Sequence, residues 1–341
     1  MKRTQKQPDL VAVVEAAYAL EKDHASWVRG VTAASAPLLD RGKGVYAFIF
    51  DANDPARFEV ESLIKLDDAE VLPDLVVQWH RMLTPDLVKT MYWGSVPLAP
   101  ISERLGLHGS LDDHPAMQRF CRKIGVVDQL TVRATDTSYR GVAICAPLGD
   151  HVRPSRAESQ AWARMVAHVS AGLRLRRALT DGDPLKGAEA ILAPDGRCEH
   201  AESHAEAKSA REALRDAVRR IDRARSALRR RDPREALETW RGLVDGRWSL
   251  VDTFDTDGRR FLVARSNAPE ARDPRALAPN EQRVVGLAAL GHSNKEIAYS
   301  LGLSLSTVTA HLATARRKLG ASSRVALIRA YRAHLDGVGE E

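Results

Sequence analysis

The segment from Ser293 to Gly320 constrains this chain more than any other. Ser293 and Glu296 stand three apart and form a capping box that starts a helix, and Ile297, Ala298 and Leu301 give it an inner face. Gly302 supplies a turn in which a side chain would crowd the partner helix. Ser304 caps the next helix, which runs through Leu319. On it Val308, Leu312, Ala315 and Leu319 fall at spacings of four, three and four and face inward. Two short amphipathic helices joined at a tight glycine can place one helix in the major groove of a duplex.

The flanks extend the pattern. Leu277-Ala278-Pro279-Asn280-Glu281 opens a helix whose Val284, Val285, Leu287, Ala288 and Leu290 face a core, and Gly291 stops it. Val325, Ile328 and Leu335 give a last helix its apolar stripe. From Leu277 to His334 eight Lys or Arg face only Glu281 and Glu296, whereas Met1 to Thr180 holds 23 basic and 21 acidic residues. A basic C-terminal module on a near-neutral body points to a polyanion as its partner. Taken alone, Arg316-Arg317-Lys318 is also what a solvated helix end looks like, because cations suit the C-terminal end of the helix dipole.

These residues carry a family resemblance. Leu277, Pro279, Glu281, Gly291, Asn294-Lys295-Glu296-Ile297-Ala298, Leu301-Gly302, Ser304, Thr307-Val308, His311, Lys318-Leu319-Gly320 and Arg324 resemble the LuxR-type (GerE-type) helix-turn-helix, a four-helix DNA-binding domain of bacterial transcription regulators. The resemblance implies that Leu305–Leu319 is a recognition helix. It implies DNA contacts from Asn294, Lys295, Ser306, Thr307, Thr309, Ala310, His311, Ala313, Arg316, Arg317, Lys318 and Arg324. It further implies dimerisation through the last helix, near Val325, Ile328 and Leu335. The implied partners are double-stranded DNA, a second copy of the chain and the transcription machinery.

The chain departs from the family where bases would be read. Thr309 stands where a Lys or Arg is common, Ala310 and Ala313 hold the other base-facing positions, and Ala315 replaces a larger aliphatic residue. Thr309 and Ala310 suit thymine methyls, but nothing here offers a bidentate contact to guanine. Specificity then rests on phosphate positioning, DNA shape or a dimer.

Before this module the pattern is α+β. Apolar spacing predicts a helix from Asp9 to about Ala36, then strands at Val45–Phe50 and Arg57–Leu66 around Asp51-Ala52-Asn53-Asp54-Pro55. Helices are expected at Ala69–Met82 and Pro85–Trp93, then a Pro- and Gly-containing stretch to Gly109 and a short helix at Pro115–Ile124. Strands at Gln129–Thr135 and Gly141–Leu148 precede a long helix, Arg156–Leu179. This order resembles a GAF-type sensory domain over 1–180. Hairpin signals at Pro194-Asp195-Gly196 and Asp255-Thr256-Asp257-Gly258 bracket a helical stretch, Ala205–Arg231, which resembles a degenerate PAS-type domain over 181–266. Asn267–Ala276, with two prolines among charged residues, reads as a linker to the helix-turn-helix domain at 277–336.

Other constellations carry less. Lys208–Arg231 holds ten Lys or Arg against Glu212, Asp216 and Asp222, which is either a second polyanion contact or an exposed helix with i,i+4 ion pairs. Cys198, His200 and His204 are close in sequence but lack a metal-ligand pattern, and no metal is expected. Tyr46, Phe48, Trp79, Tyr92 and Trp93 read as core or as the lining of a ligand pocket. Asp112-Asp113-His114 reads as a helix cap. His311 reads as a structural or phosphate-side residue. No catalytic residue, phosphate-binding loop or cofactor motif is evident, and the sequence names no ligand for the N-terminal region. An enzyme or a protein-interaction module fused to a DNA anchor stays open beside the sensor. Three unpaired cysteines and the lack of a long apolar run point to the cytoplasm, without a membrane contact.

Overall fold

The computed structural model describes residues 8–66, 73–93, 96–107, 125–136, 138–178, 188–245, 247–254, 257–266, 277–319 and 321–337. The expected helix Pro115–Ile124, the linker Asn267–Ala276, Asp112–His114 and Gly320 lie outside the described residues. Residues 22–173 form one compact unit; residues 1–21 with 174–341 form another.

The apolar stripe from Asp9 to Ala36 is not a single helix. It divides into α1 (Leu10–Ala17) and α2 (His24–Leu39). The carboxylate of Asp23 accepts the Ser26 N–H at 2.9 Å and starts α2 afresh. Capping chemistry breaks a stripe whose spacing runs on across the gap.

In the 22–173 unit follow β1 (Tyr46–Asp51), β2 (Glu59–Lys65), α3 (Pro73–Arg81), α4 (Pro85–Tyr92), β3 (Leu98–Pro100), α5 (Ile101–Arg104), β4 (Asp128–Thr135), β5 (Arg140–Leu148) and α6 (Arg156–Ala178). The strands pair antiparallel in the order β2-β1-β5-β4-β3. β3 and α5 fall in the stretch expected to be irregular, because three and four residues are too few to show a period. α2 packs on β1, β2 and β5 through Trp27, Val28 and Val31, all fully buried. Helices on both sides leave the central strands with no exposed face, so β5 reads as an almost continuous buried run.

The other unit holds α1, β6 (Ala188–Leu192), β7 (Cys198–Ala201), α7 (Lys208–Arg225), α8 (Leu228–Arg231), α9 (Pro233–Thr239), β8 (Leu243–Val244), β9 (Trp248–Phe254) and β10 (Arg260–Ser266). Its strands run antiparallel in the order β7-β6-β10-β9-β8. The helix expected over Ala205–Arg231 is broken at Ser226, whose hydroxyl donates to the Arg223 carbonyl at 2.7 Å as the backbone turns out of the helix. Part of the positive charge of the stretch Lys208–Arg231 is used inside the fold. Arg225 pairs with Glu15 at 2.9 Å and with Asp252, and lies over the Trp240 ring. Arg229 pairs with Asp9 at 2.8 Å and Glu15 at 2.9 Å, and Arg260 ties Asp252 to Asp222. Burial alone would raise the Asp252 carboxyl, but its bonds from Arg225 and Arg260 hold it below the usual range. α1 is thereby fastened by charge as well as by its buried Val11, Val13 and Val14.

The last four helices are α10 (Pro279–Ala289), α11 (Asn294–Leu301), α12 (Leu305–Lys318) and α13 (Arg324–Gly337). They close on Leu277, Val284, Val285, Ile297, Val308 and Leu312, with Leu327 and Tyr331 from α13. The chain is thus α+β up to residue 266 and all-α from residue 277 onward. No helix among the described residues is long and apolar enough to cross a membrane.

Candidate nucleic-acid interface

Local chemistry sets both ends of α11. Ser293 N–H donates to Glu296 Oε2 at 2.7 Å and Glu296 N–H to Ser293 Oγ at 3.3 Å, so the capping box closes reciprocally. Gly302 ends the helix in the left-handed region at φ 64°. The crowding that requires glycine there does not come from the partner helix. A Cβ on Gly302 would lie 2.1 Å from the Leu243 carbonyl oxygen of β8. Tyr299, three residues earlier, donates its hydroxyl to the Leu237 carbonyl at 3.1 Å. Neither contact has a local signature in the sequence.

Ser304 caps α12, accepting the Thr307 N–H at 3.1 Å, and its Oγ lies 2.7 Å from both Ser306 Oγ and Thr307 Oγ1. Val308, Leu312, Ala315 and Leu319 are buried. The opposite stripe, Ser306, Thr309, Ala310, Ala313, Arg316 and Arg317, is exposed. The Thr309 hydroxyl donates to the Leu305 carbonyl at 2.9 Å. Its proton is used within the helix, and its methyl and oxygen lone pairs are what it can show a partner. Leu305 is 53% exposed at the head of this stripe, and sequence reasoning passed over it. Standing three residues before Val308, it continues the inner spacing, so the sequence alone would bury it.

The charged groups divide in two. Lys295 is exposed at the start of α11. Arg316 and Arg317 are exposed near the end of α12, donating to the Ser322 carbonyl at 2.5 Å and to Thr314 Oγ1 at 3.2 Å. Each contact uses one Nη2 and orients the guanidinium without neutralising it. Arg324 is committed differently: it bonds Asn294 Oδ1 and donates to the His292 carbonyl at 2.6 Å, joining α13 to the start of α11. His311 is half-buried beside the stripe. On α13, Val325 is 60% exposed and Ile328 packs partly against the domain core. The side chains of Lys318 and Leu335 lie outside the described residues.

Residues 275–331 match the family model described as bacterial regulatory proteins, luxR family. These residues form a LuxR-family helix-turn-helix domain. A 77-residue stretch of the chain is also 42% identical to the transcriptional regulatory protein MctR of Rhizobium johnstonii, covering 23% of this chain and 35% of that protein. The match therefore spans about a third of that relative's length. The LuxR-family domain accounts for the basic C-terminal module.

Elsewhere, among the described residues, no three His, Cys, Asp or Glu side chains gather as a metal site. The Cys198 thiol donates to the His200 carbonyl at 3.2 Å, and His200 Nε2 lies 3.6 Å from Glu202. Of the aromatic set, Tyr46, Phe48, Trp79 and Tyr92 are buried, while Trp93 stacks on Tyr139 with ring centres 4.4 Å apart.

Proposed function

We propose that this chain is a LuxR-type transcription regulator, not an enzyme, in which the α12 stripe enters the major groove of promoter DNA. Two copies act as a dimer through α13, setting two α12 helices about one helical turn of DNA apart. The α+β regions before residue 267, GAF-like and then PAS-like, serve as the sensory part, and contact with the transcription machinery completes the regulator. One observation carries the reading. In the LuxR-family domain a closed apolar face on α12 backs an exposed stripe that ends in two oriented guanidiniums. Side chains of that kind grip phosphate, and the small residues between them let the helix approach the bases.

The test is fluorescence anisotropy of the full chain on labelled genomic duplexes as salt is raised. Each lost phosphate contact removes about 0.9 from the slope of log affinity against log salt. Replacing both Arg316 and Arg317 by Ala should lower the slope by roughly 2 and weaken binding evenly across sequences. The reading fails if no genomic fragment is bound in a salt-sensitive way.

A further inference from the structure

The helix α7 divides along its length into two flanks of different electrostatic character. On one flank each cation meets an acid: Arg220 lies 2.7 Å from Asp216 and Arg223 3.4 Å from Glu235. Toward the end of the helix Asp222 is taken by Arg260, and Arg225 by Glu15 and Asp252. The other flank carries Lys208, Arg211, Arg215 and Arg219, at spacings of three, four and four, all exposed. Among the described residues none of these four forms an ion pair. Arg215 donates Nε to the Gly196 carbonyl at 3.4 Å, which orients the guanidinium and leaves its charge in place. Gly196 makes room for this, since a Cβ there would lie 2.8 Å from Arg215 Cγ. With the paired groups set aside, α7 keeps these four cations against Glu212 alone.

The open flank works against the helix that carries it. Arg211, Arg215 and Arg219 are like charges four apart, and such pairs repel on a helix surface. Lys208 and Arg211 stand at the start of the helix, whose first turn holds no acid, so they face the positive end of its dipole. Ala207, in front of them, offers no side chain to cap the first amides. Each of these features favours an anion at this flank. The four cations span about 16 Å at 1.5 Å per residue, which suits a line of phosphates better than one small anion. α7 also lies in the compact unit that includes the LuxR-family domain, and both α7 and α11 pack on β8. A duplex held by α12 therefore brings a dense array of phosphates to the unit that carries this flank.

We propose that the open flank of α7 is a second DNA-contacting surface, on which Lys208, Arg211, Arg215 and Arg219 grip the phosphate backbone of the duplex held by the helix-turn-helix. Contacts of this kind carry no base information, so the flank adds affinity and salt dependence without sequence preference. This inference rests on the DNA binding proposed above and enlarges its surface. Separate variants on α7 and α12 keep the two apart.

The full chain is titrated onto labelled duplexes of about 40 base pairs, long enough for two half-sites and their flanks, as salt is raised. Arg211→Gln with Arg219→Gln should lower the slope of log affinity against log salt by roughly 2. At about 0.1 M salt the same pair should weaken binding at least about tenfold, evenly across sequences. Arg220→Gln with Arg223→Gln removes as much charge from the paired flank and should leave the slope unchanged. Arg211→Lys with Arg219→Lys keeps the charge and should keep the wild-type slope. Equal losses from the two flanks overturn the proposal, because net charge alone would then explain them. An unchanged slope in the Arg211 and Arg219 pair also overturns it; if that pair instead loses binding to phosphatidylglycerol vesicles, the flank belongs to a lipid surface. If Arg316→Ala with Arg317→Ala lowers the slope and the α7 pair does not, this inference fails alone. The reverse pattern sinks the reading of α12 and sustains this one. Melting curves check folding, and should the α7 pair fail to fold, Lys208→Gln carries the comparison with a slope change of about 1.

Discussion

Alanine at Gly302 tests whether the helix-turn-helix turn is packed on β8, and the chain supplies its own control. Gly302 (φ 64°) and Gly258 (φ 76°) both occupy the left-handed region. Nothing lies within 4 Å of a Cβ on Gly258, whereas a Cβ on Gly302 meets the Leu243 carbonyl oxygen at 2.1 Å and its carbon at 2.7 Å. The backbone cost is common to both and amounts to roughly 1 kcal/mol. The overlap at Gly302 is with backbone, so no rotamer relieves it, and turn and strand must move apart at a cost of roughly 1–3 kcal/mol. The Tyr299–Leu237 hydrogen bond, 3.1 Å long, opens with that movement and is worth about 1 kcal/mol. Gly258→Ala should therefore cost about 1 kcal/mol and Gly302→Ala roughly 3–5 kcal/mol. Urea unfolding followed by circular dichroism measures both. Hydrogen exchange at the Leu303 amide, bonded to the Ala298 carbonyl at 2.8 Å, reports whether the turn itself loosens. Equal costs for the two variants would refute the reasoning, because the contact with Leu243 would then contribute nothing.

Three further outcomes follow from the same geometry. Thr309→Lys puts a long donor at the exposed centre of α12, so it should change which duplexes are preferred in a binding-site selection while altering stability by under about 0.5 kcal/mol. His168 and His80 are held neutral by burial, down to about 3 and about 4. The folded state thus binds fewer protons than the unfolded chain below the ordinary histidine value. Stability should be complete above about pH 6.5 and fall by up to about 1.4 kcal/mol per pH unit per histidine on acidification; urea midpoints between pH 6.5 and 5 measure this, and His80→Gln should flatten the slope. Arg225→Met leaves Glu15 and Asp252, 30% and 24% exposed, without their shared cation. It should cost about 2 kcal/mol and speed hydrogen exchange in α1.

How far sequence reasoning reached depended on the range of the forces involved. The capping box at Ser293 and Glu296, the αL turn at Gly302 and the inner stripe of α12 are settled within a few residues, and the residues themselves declare them. Strand β5 was legible as a nearly unbroken apolar run and β4 by the alternation of Leu130, Val132 and Ala134, on either side of the turn at Asp136–Arg140. The two-helix nature of the first thirty residues was not, since Asp23 caps a new helix without disturbing the apolar spacing. Nor was the place of α1, which joins the unit of residues 174–341 through pairs such as Asp9–Arg229, 220 residues apart. The exposed stripe of α12 was visible as the complement of its buried one. The commitment of Arg324 to Asn294 was not, because a basic residue in a basic domain looks the same whether it faces a phosphate or a neighbouring carbonyl.

The α12 surface also bears on where specificity would come from in the proposed regulator. A good bidentate contact to a base is worth about 1–3 kcal/mol of discrimination. Thr309 has given its proton to Leu305, and Ala310 and Ala313 have no polar side-chain atom, so the centre of the stripe supplies no such contact. What remains is apolar, in Leu305 and the Thr309 methyl, and electrostatic, in Lys295, Arg316 and Arg317. Apolar groups distinguish thymine by its methyl, while cations read only the path of the backbone. Such a helix fixes position well and sequence weakly. In the proposed dimer, selectivity would then be built from the spacing of the two copies and the shape of the duplex between them. If the proposed dimer forms, a signal that changed its geometry would act on selectivity and affinity together, and the proposed sensory region and the α12 stripe would then work as parts of one device.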